Sequence, residues 1–190
     1  MFNGSLAMNN PAEILRTLER HLAKTTELTL FGRAALALGF PDAPLDYAAT
    51  HDVDGIIPVT SGEPEVEFWL AQQATNEELR NRGLYITHLF SETDVILQPD
   101  WFSRRIAVDL KLGRLRLFRP ATIDLILTKM ARGDEQDLED IRFLLCREPT
   151  SQTVLKEAFA RARVPDVNEI RQLFLTAQPK VLQLALEFSK

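Results

Sequence analysis

The sequence predicts an α+β protein: a small mixed sheet with flanking helices, then a helical C-terminal third. Three observations carry this. From residue 12 to residue 57, apolar residues at helical spacing alternate with short apolar runs, and glycine or proline separates them. A cluster of short strand-like runs follows between residues 84 and 118. Past Pro120 only helical patterns remain.

Taken in order, Pro11 opens a segment over 12–24 in which Ile14, Leu15, Leu18 and Leu22 recur on one helix face, ending near Thr25-Thr26. Leu28-Thr29-Leu30-Phe31 reads as a strand stopped by Gly32, and Arg33-Ala34-Ala35-Leu36-Ala37-Leu38 is a strong helix former directly after it. Pro41 and Pro44 put residues 40–50 in a loop. Asp52-Val53-Asp54-Gly55-Ile56-Ile57 is the next strand, closed by Pro58. Residues 63–82 predict a long helix with Val66, Trp69, Leu70, Gln73 and Leu79 as its buried stripe and Gly83 as its C-terminal cap.

Short strands are expected at 84–89 and 94–97, then a hairpin of 104–110 with 114–118 that turns at Leu112-Gly113. Helices at 121–131 and 134–146 break at Gly133, and two or three more run from Ser151 to Lys190, separated by Pro165 and Pro179. This layout suggests one domain over 1–147 and a C-terminal helical extension over 148–190 packed on it.

Composition narrows the function classes. A chain of 190 residues, 45% hydrophobic, is long enough to bury a core. Its net charge of −5 argues against a protein that coats nucleic acid generally, although a local basic patch on an acidic body stays open. The single cysteine, Cys146, rules out an intramolecular disulfide and a cysteine-rich zinc site, which suits a reducing compartment. Met1-Phe2-Asn3-Gly4-Ser5 lacks the basic start and apolar run of a signal peptide, and no stretch reaches the apolar length of a spanning helix. The cytoplasm is the expected address, with no membrane partner. No phosphate-binding lysine loop, dinucleotide fingerprint or nucleophile elbow is present.

Asp52 and Asp54 are the sharpest chemical feature. Residues two apart on a strand point to the same face, about 6.6–6.8 Å from one another along the chain. Two carboxylates held that way repel each other, and they become useful when a divalent cation sits between them. Mg²⁺ takes one or two protein carboxylates and fills its shell with water and substrate phosphate oxygens. The plainer reading is a solvated strand start in which Asp52 accepts a turn hydrogen bond.

A strand ending in Gly32, a helix of small residues, a loop and then Thr50-His51-Asp52-Val53-Asp54 resembles the nucleotidyltransferase superfamily. Its pattern is a glycine pair at a strand–helix turn, a loop, then Asp-x-Asp or Asp-x-Glu on the next strand. The run Ala121-Thr122-Ile123-Asp124-Leu125-Ile126-Leu127-Thr128-Lys129-Met130, followed by Asp137-Leu138-Glu139-Asp140-Ile141, is similar to one subgroup. These are the nucleotidyltransferase-like proteins of prokaryotic toxin–antitoxin and phage-defence loci, related to the AbiEii type of toxin. There, a lysine on a helix after the sheet precedes an acidic Asp-x-x-Asp helix. The resemblance spans residues 10–147.

It implies that Asp52 and Asp54 hold Mg²⁺ or Mn²⁺, and that a third carboxylate helps deprotonate an attacking hydroxyl. Asp94 is the choice for that third group, with Glu92 its competitor and Asp109 further along the chain. It further implies that Gly32, Arg33 and Lys129 contact the phosphates of a nucleoside triphosphate. The acceptor would be a tRNA end or a protein side chain, and an antitoxin would be the protein partner. One departure stands out: the family has Gly-Gly or Gly-Ser where this chain has Gly32-Arg33. Arg33 either obstructs the phosphate turn or grips the phosphate itself. In the first case the chain would be a catalytically degenerate binding module on the same fold.

Several secondary features carry two readings. Lys129 either snorkels to solvent or points at a phosphate. Asp137 and Asp140 either hold Lys129 or Arg132 in place or make a solvated acidic face. The hairpin carries Arg104, Arg105, Lys111, Arg114, Arg116 and Arg119 against Asp109 alone, and Arg114 and Arg116 alternate with Leu115 and Leu117. That cationic face would suit RNA, or it protects an edge strand by charge. Trp101 and Phe102 beside it either stack on a base or belong to the core. His21, His51 and His88 have no metal-site spacing, and Cys146 on an apolar helix face reads as a buried, inert thiol.

Overall fold

The computed structural model describes residues 9–57 and 66–188. The N-terminal pentapeptide, the strand stop at Pro58, the expected helix start at 63–65 and the terminal Lys190 lie outside them. The chain divides into two compact units, Met1–Leu89 with Ile106–Arg119 and Phe90–Arg105 with Pro120–Lys190. Residue 147, after which the sequence suggests an extension, lies inside the second unit.

The first unit opens with α1, Asn10–His21, whose N-cap Asn9 accepts the Ala12 N–H at 2.9 Å while Pro11 occupies a first-turn position that needs no N–H. Its inner face buries Ile14, Leu15 and Leu18 completely. The helix ends before Lys24, because Leu22 turns extended and its N–H closes on the carbonyls of Leu18 and Glu19. Then follow β1 (Thr26–Phe31), α2 (Gly32–Gly39), a 3₁₀ turn (Tyr47–Ala49), β2 (Asp52–Ile57), α3 (Val66–Leu79) and β3 (Tyr85–Ser91). The last two residues of β3 fall in the second unit. Strands β4 (Ile106–Val108) and β5 (Leu115–Arg119) complete a mixed sheet of order β3-β2-β1-β5-β4. β1 is antiparallel to β2 and parallel to β5, and β4 is antiparallel to β5. The expected α+β architecture and its mixed sheet are the observed ones.

Two expectations in this unit need correction, the buried stripe of α3 and the edge position of the second hairpin strand. On α3 the buried residues are Phe68, Ala71, Thr75 and Leu79, whereas Val66, Trp69 and Leu70 are exposed. The two sets lie on different faces of the helix, and packing against α1 decided which turned inward. The hairpin turn contains Leu112-Gly113 as expected, and its left-handed residue is Lys111 (φ 57). Asp109 stabilises it by accepting the Lys111 N–H at 3.0 Å. β5 lies between β1 and β4, so its arginines are not on an edge strand.

The second unit is helical. α4 (Thr122–Lys129), α5 (Glu135–Arg147), α6 (Gln152–Arg161) and α7 (Asn168–Phe188) follow a 3₁₀ turn at Trp101–Arg104. α4 is buried nearly all round, which suits a helix at the centre of its unit. Gly133, at φ +61, breaks α4 from α5 as expected. The side chains of Asp134 and Ser151 cap α5 and α6. Pro179 does not separate two helices but lies inside α7. The carbonyl it leaves without a donor is that of Leu175, an exposed residue, where water can supply the bond.

The expected strand at 94–97 is also absent. Leu97 makes a single bridge to Arg163, with the Arg163 N–H donating to the Leu97 carbonyl at 2.8 Å. Asp94 sits in the turn that ends β3, donating its N–H to the Ser91 carbonyl at 2.9 Å and accepting the Ser91 N–H on its carboxylate at 3.2 Å. An aspartate that closes its own turn in this way competes with strand pairing. No helix among the described residues is long and apolar enough to cross a membrane.

Candidate functional site

The register of β1 on β2 brings the two sharpest motifs together. Phe31, the last residue of β1, is the partner of Asp54. The next residue, Gly32, has φ +61, a conformation that favours glycine. A Cβ at Gly32 would lie 3.6 Å from Asp54 Oδ2, so the missing side chain leaves open the space between the start of α2 and this carboxylate. The N-cap of α2, Phe31, supplies no side-chain hydrogen bond, unlike Asn9, Asp134 and Ser151 on other helices. The first-turn N–H groups of α2, at the positive end of its dipole, therefore stand beside a carboxylate.

Along β2, Asp52 and Asp54 are half-buried and Val53 between them is fully buried, as a strand with two carboxylates on one face requires. Gly55 is needed for a different reason. A Cβ there would come within 2.7 Å of Leu28 Cδ1 and 2.9 Å of Leu89 Cδ2, so β2 can only lie this close to its neighbours with glycine at that position. Asp52 is oriented by two hydroxyls: Thr50 Oγ1 donates to Oδ1 at 2.7 Å and Thr87 Oγ1 to Oδ2 at 3.4 Å. An ionised carboxylate has about four acceptor positions, so these bonds leave capacity for a cation. The sequence reading missed both threonines. Thr50 was legible as a residue two before Asp52, but Thr87 comes from β3 and only the sheet brings it near.

Arg33 extends from the first turn of α2 to the 3₁₀ turn. Its guanidinium lies 5.0 Å from the centroid of the buried Tyr47 ring, and its Nη1 is 3.9 Å from Asp46 Oδ2. The loop that leads to Asp52 thus holds the residue that departs from the family pattern.

The remaining predicted residues are distributed as follows. Asp94, in the second unit, is exposed in its turn. Its competitor Glu92 accepts the indole N–H of Trp101. Trp101 itself is core, at 1% exposure, and Phe102 carries Arg105 stacked 3.6 Å from its ring centroid. Asp109 pairs with Lys111, whose ammonium holds the carboxyl below its usual range. Among the described residues no group of three or more His, Cys, Asp or Glu is placed to hold a metal ion.

Lys129 does not snorkel. It is buried in the second unit, with Nζ 2.6 Å from Asp140 Oδ2 and 3.4 Å from Asp137 Oδ1. Asp137 also accepts two bonds from Arg132, at 2.9 and 3.0 Å, which hold that guanidinium above its usual pKa. Asp137 and Asp140 are therefore a buried cluster and not the solvated acidic face. α4 carries a further buried carboxylate that the sequence reading passed over. Asp124 accepts the Gln98 N–H at 2.9 Å and Arg104 Nη2 at 2.8 Å, and burial pushes its pKa up.

The cations around the hairpin are engaged locally. Arg114 donates to the Leu22 carbonyl at 2.6 Å, Arg116 lies 3.8 Å from Glu27, its cross-strand partner, and the buried Arg119 donates to the Gly39 carbonyl at 3.3 Å. His21 bonds Glu78 at 2.9 Å, and His51 is exposed with its carbonyl accepting the Tyr85 N–H. Cys146 is exposed, contrary to expectation. The inner stripe of α5 runs through Ile141, Leu144 and Leu145, which turns the following residue outward.

Comparison with known proteins agrees with this geometry at the level of the family. No curated protein and no solved structure matches the chain. A protein-family model described as a nucleotidyltransferase of unknown function (DUF6036) matches residues 12–174, a span that contains Gly32, Arg33, Asp52, Asp54, Asp94 and Lys129. With that match over most of its 190 residues, the chain belongs to the DUF6036 nucleotidyltransferase family.

Proposed function

We propose that the protein transfers a nucleotidyl group from a nucleoside triphosphate to a hydroxyl acceptor, with Asp52 and Asp54 as the carboxylates for a divalent cation, Mg²⁺ or Mn²⁺. The observation that carries this reading is the Asp54 carboxylate beside the left-handed glycine turn at the start of α2. A hard divalent ion needs one or two protein carboxylates and takes its remaining ligands from water and phosphate, and this donor set fits that demand. When bound, the ion supplies polarisation of the phosphoryl group and activation of the attacking hydroxyl.

The chain's own groups do the rest. The N–H groups at the start of α2 receive phosphate oxygens across the space that Gly32 leaves open. Thr50 and Thr87 hold the Asp52 carboxylate in one orientation. The sequence resemblance alone supports Asp94 as the acceptor of the hydroxyl proton. The sequence resemblance supports a tRNA end or a protein side chain as the acceptor, an antitoxin as the partner and a cytoplasmic toxin–antitoxin setting. For RNA, Arg116 is the more available of the two strand arginines, at 68% side-chain exposure.

Thermal melting with each of ATP, CTP, GTP and UTP, with and without Mg²⁺, tests the reading. One triphosphate at a hundred times its Kd should stabilise the fold by about 2.7 kcal/mol, and only with the cation present. A folded protein that shifts with none of them overturns it. A second reading, a nucleotide-binding module that transfers nothing, is favoured by Asp94 closing its own turn with Ser91. Labelled triphosphate that binds but never appears on an acceptor would decide for it.

Arg33 provides a further test. As a phosphate grip it supplies a charge-assisted bond of about 1.5–3 kcal/mol, so Arg33→Ala should lower nucleotide affinity at least about tenfold. A titration of wild type, Arg33→Ala and Arg33→Ser measures this. Tighter binding by the serine variant, which restores the family's turn, would show that Arg33 obstructs it instead.

A further inference from the structure

We propose that the groove between α3 and β3 seats the nucleobase of the donor triphosphate, an inference that rests on nucleotidyl transfer at Asp52 and Asp54. The groove encloses about 400 Å³, within the range of small-molecule sites, and it lies wholly in the first unit. Thr87 is the link. It lines the groove, and its hydroxyl donates to Asp52 Oδ2 at 3.4 Å, so the groove reaches the residue that bonds the Asp52 carboxylate.

The lining chemistry selects the ligand. Its two charged residues, Glu77 and Arg80, pair with each other. What remains is amide, indole, hydroxyl and the aliphatic Ile86, which suits an uncharged planar group with hydrogen-bonding edges and not a phosphate. Trp69 is exposed on a helix whose buried stripe lies elsewhere, and an edge-on contact with Phe68, 5.9 Å between centroids, sets its ring. A base can stack on that ring. Gln73, exposed on the same wall, offers an amide that can both donate and accept towards a base edge.

The groove floor is unsuited to an added peptide strand. β3 is an edge of the sheet, but Asn76 already pairs with both backbone groups of Ile86, accepting its N–H at 2.7 Å and donating to its carbonyl at 3.0 Å. Gln72 donates to the same carbonyl at 3.2 Å. These bonds also pin two walls of the groove in place, as a preorganised site requires.

The test compares Mg²⁺-dependent binding of the four nucleoside triphosphates with that of inorganic tripolyphosphate, in wild type, Trp69→Ala and Gln73→Ala. Trp69→Ala should weaken every nucleoside triphosphate about tenfold and leave tripolyphosphate unchanged, while Gln73→Ala should change the ranking among bases. Gln73 is exposed, so its variant keeps the test open if Trp69→Ala does not fold. Unchanged nucleotide affinity and ranking in both variants overturns the base site while the transfer reading stands. Loss confined to an RNA acceptor, with donor affinity unaltered, also overturns it. Failure of wild type to bind either nucleotide or tripolyphosphate removes the transfer reading itself.

Discussion

Asp54→Asn should abolish cation-dependent nucleotidyl transfer, by at least about a hundredfold, while the fold melts no lower than wild type. Loss of an outer partner of a metal site costs about 10–100-fold, and a directly ligating carboxylate should cost more. The amide keeps the size of the side chain beside Gly32 and removes the charge that balances a cation. The fold should tolerate it because Asp52 and Asp54 project from the same face of β2, and neutralising one relieves their repulsion. Active-site acids commonly trade stability for function in this way. Two measurements check it: transfer of labelled triphosphate, and melting temperature with and without Mg²⁺ and nucleotide. A marked fall in melting temperature with no change in ligand response would make the carboxylates structural and would remove the proposed site.

Lys129→Ala should destabilise the second unit by about 3–5 kcal/mol, the largest effect on stability expected from a single change. Its ammonium is the near neighbour of both Asp140 and Asp137, whose side chains are at most 2% exposed. Arg132 still serves Asp137, but Asp140 would lose its 2.6 Å partner in a site that water does not reach. Breaking a buried ion pair by removing one partner is what makes such a deletion costly. Urea unfolding measures the change, and adding Asp140→Leu to Lys129→Met should recover part of it, since an apolar replacement of both partners can be near neutral. A loss under about 1 kcal/mol would show that the cluster is solvated and not a buried ion pair.

The alternation of residues 52–57 and the Gly32 stop were legible because both rest on local backbone rules: a period of two along a strand, and a glycine where φ is positive. The same is true of the helix break at Gly133. Local rules misled where two candidate faces compete. On α3, Val66, Trp69 and Leu70 read as the buried stripe, and packing against α1 turned Phe68 and Ala71 inward instead. Likewise Cys146 follows a buried Leu145 and yet faces out.

By itself, then, the sequence determined the α+β class, the order of β1, the glycine turn, α2 and β2, and the two carboxylates that share a strand face. Each follows from neighbours within a few residues. Only the tertiary structure decided that Phe31 pairs with Asp54, that Thr87 reaches Asp52 from β3, and that Lys129 is sealed between Asp137 and Asp140. Those are contacts between residues distant along the chain or on separate helices. Their geometry depends on which strands pair, in what register, and how much water the packed helices leave beside a charge.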